Sequence, residues 1–303
     1  MRGVSIGAPP DPFSAGGQVW GLPPPDPLAM RRDGYSAFND LLIANMRHAG
    51  ALRIDHVMGL RRLFVVPEGA GASDGAYVTY PMQDLLAQVA LQSQRARCLV
   101  VGEDLGTVPE GMSEALTASN ILSYSVLWFE RRRDGKLREP AEWRRLAAAC
   151  VSTHDLPTLA GWWSGADIAE RRNLSLLDDP GAEQARLTAK AELVALLRAE
   201  NLLMEDVDLA QPIPPPVAAA VHAFVSSTPS LLAFVQADDL AGETVAVNLP
   251  GTDRERPNWR RRLDPDVSVL CRTPLARAIL VALRGRSASA STGSESPVMP
   301  ASP

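Results

Sequence analysis

The sequence predicts an α/β fold in which β-loop-α units repeat and the strands run parallel. Short apolar runs alternate with helical-period segments, and these runs end at about residues 55, 102, 128, 152 and 236. The run from Cys98 to Val101 is apolar throughout, which is typical of parallel strands covered on both faces. Five such strands fit either an open sheet or a closed eight-stranded (β/α) barrel whose first three units are missing.

Apolar residues at helical spacing predict the helices between the strands. The first helix carries Tyr35, Phe38, Leu41, Leu42 and Met46 on one stripe. It ends before a glycine at position 50, where a helix C-cap glycine belongs, and the first strand follows. Helices are expected at about residues 34–49, 82–94, 109–118, 166–173, 181–200, 217–226 and 274–284.

The two ends of the chain differ from this alternating pattern. Residues 7–27 are too rich in proline and glycine for helix or strand, so the chain is expected to start in a loop with no leading secondary element. Phe13, Gln18 and Trp20 indicate that this loop is ordered and functional rather than a plain linker. Serine, alanine, proline and glycine dominate the C-terminal end, which predicts one folded domain over 1–285 and a disordered tail over 286–303.

The composition is that of a globular protein without a nucleic-acid or membrane partner. The 303 residues carry a net charge of −5, which argues against a basic surface for nucleic acid. No apolar run reaches the length of a membrane span, and the N-terminus lacks the apolar core of a signal peptide. The few cysteines, Cys98, Cys150 and Cys271, are expected to be buried reduced thiols. We therefore expect a cytoplasmic protein.

Three predicted strands end in acidic residues, namely Asp55, Glu103 and Asp155. The carboxyl ends of parallel strands meet at the same rim of a sheet, so these side chains are expected to converge. Converging carboxylates suit retaining glycosyl chemistry, in which one attacks the anomeric carbon and another, kept protonated by its like-charged neighbours, protonates the leaving oxygen. A third carboxylate can stabilise the charge that develops on the sugar ring.

Neighbouring residues fit the same chemistry. Arg53 can hold Asp55 ionised and oriented, and His154 can hydrogen-bond a sugar hydroxyl. Trp20 and Phe13 offer apolar faces for sugar rings.

Other interpretations stay open on these residues alone. A strand-end acid often serves as a helix N-cap or an ion-pair partner. The histidines and carboxylates could bind a metal, although no HxxxH or CxxC spacing supports one. A Ser-His-Asp hydrolase would need a G-x-S-x-G turn, which the sequence lacks. The glycine-rich segment near residues 69–77 lacks the strand–GxGxxG–helix context of a dinucleotide site.

Six motifs occur in order between Gly7 and Leu263: GAPPDPFSAGGQVWGLPPPDP, ALRIDHVMGLRRLFVVP, GAYVTYP, VVGEDLGTVP, STHDLPTLAGWW and VNLPGTDRERPNWRRRL. Together they resemble the bacterial 4-α-glucanotransferases, also called amylomaltases or disproportionating enzymes. That family belongs to the α-amylase-like clan of (β/α)₈ barrels. The resemblance implies a partial (β/α)₈ TIM-type barrel, with about strands four to eight, flanking helices and no earlier units.

The resemblance also implies a role for each matching position. Asp55 in RIDH matches the family's nucleophile, Glu103 in GEDLG its general acid/base, and Asp155 in THDLPT its transition-state stabiliser. Arg53 and His154 match residues that position the substrate and the carboxylates. The matching sugar contacts are Gln18, Trp20 and Asn258. The family needs neither a metal nor an organic cofactor.

The implied reaction moves α-1,4-glucan segments between maltooligosaccharides by a retaining double displacement. The 7–27 loop would shield the intermediate from water and so favour transfer. The alternatives are an α-glucan hydrolase and a non-catalytic α-glucan-binding remnant. Since the strand at 51–55 would lie at an open edge of the sheet, we expect the chain alone to be poorly stable or inactive. The oligomeric state is left open.

Overall fold

A computed structural model of the chain describes residues 1–10, 16–177 and 179–290, with side chains described as far as Arg284. These residues form two compact units. The first unit consists of Met1–Tyr124, Leu146–Ala148 and Pro250–Thr252. The second consists of Ser125–Arg145, Ala149–Leu249 and the chain from Asp253 onward. Among the described helices, none is long and apolar enough to cross a membrane.

The chain up to residue 122 contains both strands and helices, but not in the regular β-loop-α alternation that the sequence predicts, and four of its strands pair antiparallel instead of parallel. In chain order the elements are β1 (Val4–Ala8), β2 (Gln18–Val19), α1 (Pro27–Arg32), α2 (Ser36–Met46), β3 (Ala51–Ile54), β4 (Arg62–Pro67), β5 (Ala76–Thr79), α3 (Met82–Ala96), β6 (Leu99–Gly102) and α4 (Met112–Ala118). An antiparallel sheet has the strand order β2-β1-β4-β5. Strands β3 and β6 form a separate parallel pair.

Helix α2 confirms most of its predicted apolar stripe. Tyr35, Leu42 and Met46 are buried in the core of the first unit. Leu41 is exposed, so the buried stripe is narrower than predicted. The helix begins only after Tyr35, because that residue adopts the left-handed conformation, with φ of 62°.

The proline- and glycine-rich start of the chain corrects two expectations. Strand β1 is a leading secondary element, and β2 lies inside the segment that was predicted to hold no strand. The two strands pair antiparallel, with Gly7 opposite Val19 and Ala8 opposite Gln18. A Cβ atom on Gly7 would lie 2.1 Å from the carbonyl oxygen of Gln18, so this pairing requires glycine. A two-residue strand is too short for its alternation to be recognised in the sequence.

Strands β3 and β6 pair parallel, as predicted for the strands that end at Asp55 and Glu103. Arg53 pairs with Val101 and Ile54 with Gly102. Within the described part of the chain, β3 pairs with no second strand. After β3 the chain turns into a short 3₁₀ helix, Val57–Leu60. A Cβ atom on Gly102 would lie 2.9 Å from the Val57 side chain, so the missing side chain leaves room for this turn.

The chain from residue 123 onward is mainly helical around three short strands. The elements are β7 (Ser123–Val126), β8 (Ala147–Cys150), α5 (Leu159–Ser164), α6 (Ala166–Asn173), α7 (Ala182–Ala199), α8 (Pro215–Ser227), β9 (Leu232–Phe234), α9 (Ala237–Ala241), α10 (Val267–Leu270) and α11 (Pro274–Ala290). The strands form a sheet of order β7-β8-β9. Trp163, Phe224 and Leu193 are fully buried in the core of the second unit.

The C-terminal helix α11 packs against α8 and ends at Ala290, later than the predicted end near 284. Residues 291–303 lie outside the described residues, so the tail over 286–303 stays a prediction. The cysteine expectation is confirmed for Cys98 and Cys150, which are buried free thiols. It is wrong for Cys271, which is exposed at the end of α10.

Candidate active site

The carboxyl ends of β3 and β6 place Asp55 and Glu103 side by side. The strand register pairs Ile54 with Gly102, so the acidic residue that follows each of them stands at the same level. The ladder continues one step further, since the Glu103 N–H donates to the Ile54 carbonyl at 2.9 Å. Neighbouring strands lie about 4.8 Å apart, so the backbones of the two acids are neighbours at this level.

Glu103 is a buried carboxylic acid with two backbone donors. Its side-chain oxygens accept hydrogen bonds from the N–H groups of His56 at 2.7 Å and of Leu105 at 2.8 Å. Burial raises the pKa of Glu103, and the nearby charge of Asp55 raises it further. The two N–H groups and the Arg53 guanidinium act in the opposite direction, yet the net pKa stays above its ordinary value. Burial therefore makes Glu103 hold its proton more tightly than a carboxyl group exposed to water does.

Asp55 has the opposite environment. Its side chain is 72% exposed, and its Oδ1 atom lies 2.7 Å from Nη1 of Arg53. The guanidinium of Arg53 in turn lies over the Tyr124 ring, 5.1 Å from its centroid. Arg53 is thus held between an aromatic face and the carboxylate that it orients. One acid is exposed beside a cation and the other is buried, which is how a pair of carboxyl groups takes on different roles.

His56 links this pair of acids to the segment before it. Its backbone is left-handed, with φ of 45°, and its N–H donates to the Glu103 carboxylate. Its ring packs edge-on against Trp20, with 5.3 Å between centroids. The Trp20 Nε1–H donates to Oε1 of Gln18 at 3.1 Å. Burial lowers the pKa of His56, which favours the neutral ring at neutral pH. Gln18 and Trp20 therefore lie next to the turn that carries Asp55 and donates to Glu103.

Asp104 is a functional candidate that sequence reasoning missed. Its buried carboxylate accepts hydrogen bonds from Ser123 Oγ and from the Tyr124 N–H, both at 2.9 Å. It therefore fixes the start of β7 and, with it, the Tyr124 ring on which Arg53 lies. The available signal was a second acid directly after Glu103, at the end of a buried strand.

The third predicted acid, Asp155, lies in the second unit with His154 and Asn248. The His154 Nε2 atom is 3.1 Å from Oδ2 of Asp155, and Asn248 Nδ2 donates to Oδ1 at 2.6 Å. The Asp155 N–H donates to Oγ1 of Thr153 at 3.2 Å. Asn248 was not predicted, because nothing near it in the sequence points to Asp155. The convergence of Asp155 with the other two acids stays a prediction.

Asn258 lies in a hydrogen-bonded loop of the second unit. Its Oδ1 atom accepts from the Leu249 N–H at 3.1 Å and from Nη1 of Arg256 at 2.6 Å. The side-chain oxygen is therefore used to hold the loop, and its predicted sugar contact stays a prediction. Phe13 lies outside the described residues. Within the described ranges, no group of three or more histidine, cysteine or acidic side chains could hold a metal ion.

Comparison with known proteins decides the family. The family model described as 4-alpha-glucanotransferase matches residues 1–268. The chain belongs to the 4-alpha-glucanotransferase family. The resemblance of the six motifs is thereby confirmed, and the α/β fold class is confirmed by the solved structure of an amylomaltase described below.

Similar members of the 4-alpha-glucanotransferase family come from several bacteria. The 4-alpha-glucanotransferase of Haemophilus influenzae is 39% identical over 266 residues, which cover 86% of this chain and 38% of the relative. That of Mycobacterium tuberculosis is 41% identical over 266 residues, covering 86% of this chain and 36% of the relative. The chain thus spans less than half the length of these relatives.

Two solved structures of amylomaltases resemble the fold. The crystal structure of amylomaltase from Corynebacterium glutamicum superimposes with a TM-score of 0.87 at 35% identity, covering 93% of this chain and 42% of that one. Amylomaltase from Streptococcus agalactiae in complex with acarbose gives a TM-score of 0.69 at 18% identity, covering 94% of this chain and 51% of that one. The second likeness supports the fold alone.

Proposed function

We propose that the chain carries the catalytic residues of a retaining 4-α-glucanotransferase, which moves α-1,4-glucan segments between maltooligosaccharides. Asp55 is the nucleophile, Glu103 the general acid/base and Asp155 the transition-state stabiliser. Arg53 and His154 position these groups. The proposed sugar contacts are Gln18, Trp20 and Asn258. No metal or organic cofactor takes part.

The observation that carries this proposal is the pairing of an exposed Asp55 with a buried Glu103 at one strand level. Retaining enzymes need two carboxyl groups about 5 to 5.5 Å apart, close to the spacing of neighbouring strands. They also need one acid that keeps its proton near neutral pH. Burial of Glu103 supports that role, since it raises the pKa.

The proposed reaction has two displacements. In the first, an oxygen of Asp55 attacks the anomeric carbon, the glycosidic bond breaks, and Glu103 gives its proton to the leaving oxygen. In the second, Glu103 takes a proton from the 4-hydroxyl of an acceptor glucan, whose oxygen displaces Asp55 and restores the α-linkage. The Gln18–Trp20 segment, which packs on His56, shields the ester from water and favours transfer over hydrolysis.

We further propose that β3, β6, β7, β8 and β9 are strands four to eight of the family's (β/α)₈ barrel. The parallel pairing of β3 with β6 supports this, as does the parallel bridge from Val101 to Leu122. The share of each relative that the chain covers also fits a partial barrel.

The test is incubation of the purified chain with maltotriose, followed by analysis of product lengths. Transfer by the purified chain would contradict the expectation, drawn from the open edge of the sheet, that the chain alone is inactive. Transfer yields glucose together with longer oligosaccharides. We expect Asp55→Asn and Glu103→Gln to lower the rate by about 10² or more. Glu68→Gln, a substitution at an exposed position of the first unit, is the matched control and should leave the rate unchanged. Formation of reducing ends without lengthening would assign a hydrolase instead.

A second measurement separates catalysis from binding alone. Glu103→Gln treated with a maltotriosyl fluoride needs no acid to release its leaving group. It should therefore accumulate a glycosyl ester on Asp55, which peptide mass spectrometry detects. If the chain binds maltooligosaccharides but forms neither ester nor products, and Asp55→Asn binds equally well, it is a glucan-binding remnant.

A further inference from the structure

Trp259 is an exposed aromatic residue held in an unfavourable backbone conformation. The residue is 60% exposed, although tryptophan is among the largest apolar residues. Its φ is 62°, in the left-handed region that residues with a Cβ atom rarely adopt. Neither the exposure nor the backbone conformation stabilises the folded state, which suggests that this tryptophan serves another purpose.

The surrounding loop is built to keep Trp259 in this position. The Trp259 N–H donates to the Val247 carbonyl at 2.9 Å. The residue before it, Asn258, is bonded to Leu249 and Arg256. Arg256 is itself buried, and its Nε–H donates to Oε1 of Glu170 on α6 at 2.8 Å. A buried charged residue thus fixes the loop that presents the indole to solvent.

The indole is presented next to the Asp155 cluster. The rings of Trp259 and His154 lie 5.4 Å apart between centroids, inclined at 46°. His154 contacts the Asp155 carboxylate at 3.1 Å. The exposed indole of Trp259 therefore contacts His154, which in turn contacts the Asp155 carboxylate. Ligand sites are typically formed by such an apolar face with a few convergent polar groups.

We propose that Trp259 is a substrate-binding residue, whose indole stacks on the apolar C–H face of a glucose unit in a bound α-1,4-glucan. This inference rests on the proposed function and adds a sugar contact to those proposed above. The chemistry is complementary, because a pyranose ring has an apolar face for the indole and hydroxyl groups for His154. Since the indole is rigid, little conformational freedom is lost on binding.

The test measures the affinity of the full chain for maltoheptaose by titration calorimetry. We expect Trp259→Ala to weaken binding about 3- to 10-fold, and Trp259→Phe to retain most of the affinity because its ring still stacks. Met204→Ala, at a position 83% exposed in the second unit, is the matched control and should bind like the wild type.

Trp259→Gly separates binding from folding. Glycine adopts a φ of 62° without strain, so this variant should melt no lower than Trp259→Ala while binding as weakly. Wild-type affinity in Trp259→Ala, or no binding of maltoheptaose by the wild-type chain, overturns the inference. If the wild type binds maltoheptaose but transfers nothing from maltotriose, the proposed function fails while the role of Trp259 in binding is still decided by its variants.

Discussion

The His56 N–H donates to the Glu103 carboxylate at 2.7 Å, and His56 directly follows Asp55 in the chain. One turn therefore carries the first acid and fixes the second. His56 has a left-handed backbone, so the turn that links the two acids depends on a conformation that residues with a Cβ atom rarely adopt.

The raised pKa of Glu103 makes stability depend on pH. The folded chain binds this proton more tightly than the unfolded chain, so the free energy of unfolding falls as pH rises from the ordinary value of 4.5 through the folded pKa. Glu103→Gln removes this contribution. Urea denaturation at a series of pH values should show that the stability of the wild type relative to the variant declines over that window.

Two features sharpen this pH test. The glutamine amide would face one of the two backbone donors, which costs about 1–3 kcal/mol at every pH and so leaves the slope unaffected. For Glu68→Gln, a substitution at an exposed position, the free energy of unfolding should change with pH as it does for the wild type. Equal pH slopes for the wild type and Glu103→Gln would contradict the burial argument. Transfer activity should also decline as Glu103 loses its proton.

Gly7→Ala should disrupt the pairing of β1 with β2. The new Cβ atom would lie 2.1 Å from the Gln18 carbonyl oxygen, a backbone atom that cannot move aside alone. We expect a loss of about 1–3 kcal/mol and a displaced Trp20, measured by thermal melting and by transfer rate. Gly16→Ala is the matched control, because its Cβ atom would meet nothing within 4 Å among the residues that the structure describes. Similar melting of the two variants would rule out the steric explanation.

Asp104→Asn should destabilise the first unit and slow transfer. The asparagine oxygen can still accept from the Tyr124 N–H, but the NH₂ group that replaces the second oxygen cannot accept from the Ser123 hydroxyl, which must turn to accept instead. The charge that strengthens both hydrogen bonds is also lost. The cost should be about 1–3 kcal/mol in denaturant titrations. Asp206→Asn alters a fully exposed carboxylate paired with Arg198, and it should cost much less, because water screens an exposed ion pair.

A lower transfer rate is expected in folded Asp104→Asn, since Tyr124 supports Arg53 beside Asp55. Rates measured below the melting temperature test this. An unchanged rate would mean that the Tyr124 ring does not position Arg53.

Asn248→Asp should impair transfer more than Asn248→Ala. The amide of Asn248 donates to Asp155 at 2.6 Å, and a carboxylate there would replace a hydrogen bond with repulsion between like charges. The alanine variant only removes the donor. Steady-state assays should show a lower kcat for both. Asn45→Asp, which adds the same charge at an exposed position of α2, should behave as the wild type.

The sequence predicted the parallel part of the fold because its signal is local. Apolar runs ending in Asp55 and Glu103 mark β3 and β6, and the strand level of the two acids then follows from parallel pairing. Strand β2 was missed, since its formation depends on the space that Gly7 leaves, a contact across the sheet. Composition alone indicated a loop there.

The partners of the acids could not be predicted for the same reason. Asn248 is far from Asp155 in sequence, and Asp104 reaches forward to Ser123 and Tyr124. Such polar residues resemble any exposed side chain until the fold brings them together. Burial, which separates the chemistry of Glu103 from that of Asp55, likewise depends on packing from other elements.

Gly102 sets a limit on redesign of this centre. The Val57 side chain occupies the space that a side chain at position 102 would need, so the 3₁₀ turn can pack directly on the end of β6. One extra methyl group would push that turn outward and lengthen the gap between the two acids. A mutant library that aims to alter acceptor choice should therefore vary the exposed surface around Asp55 and keep position 102 unsubstituted.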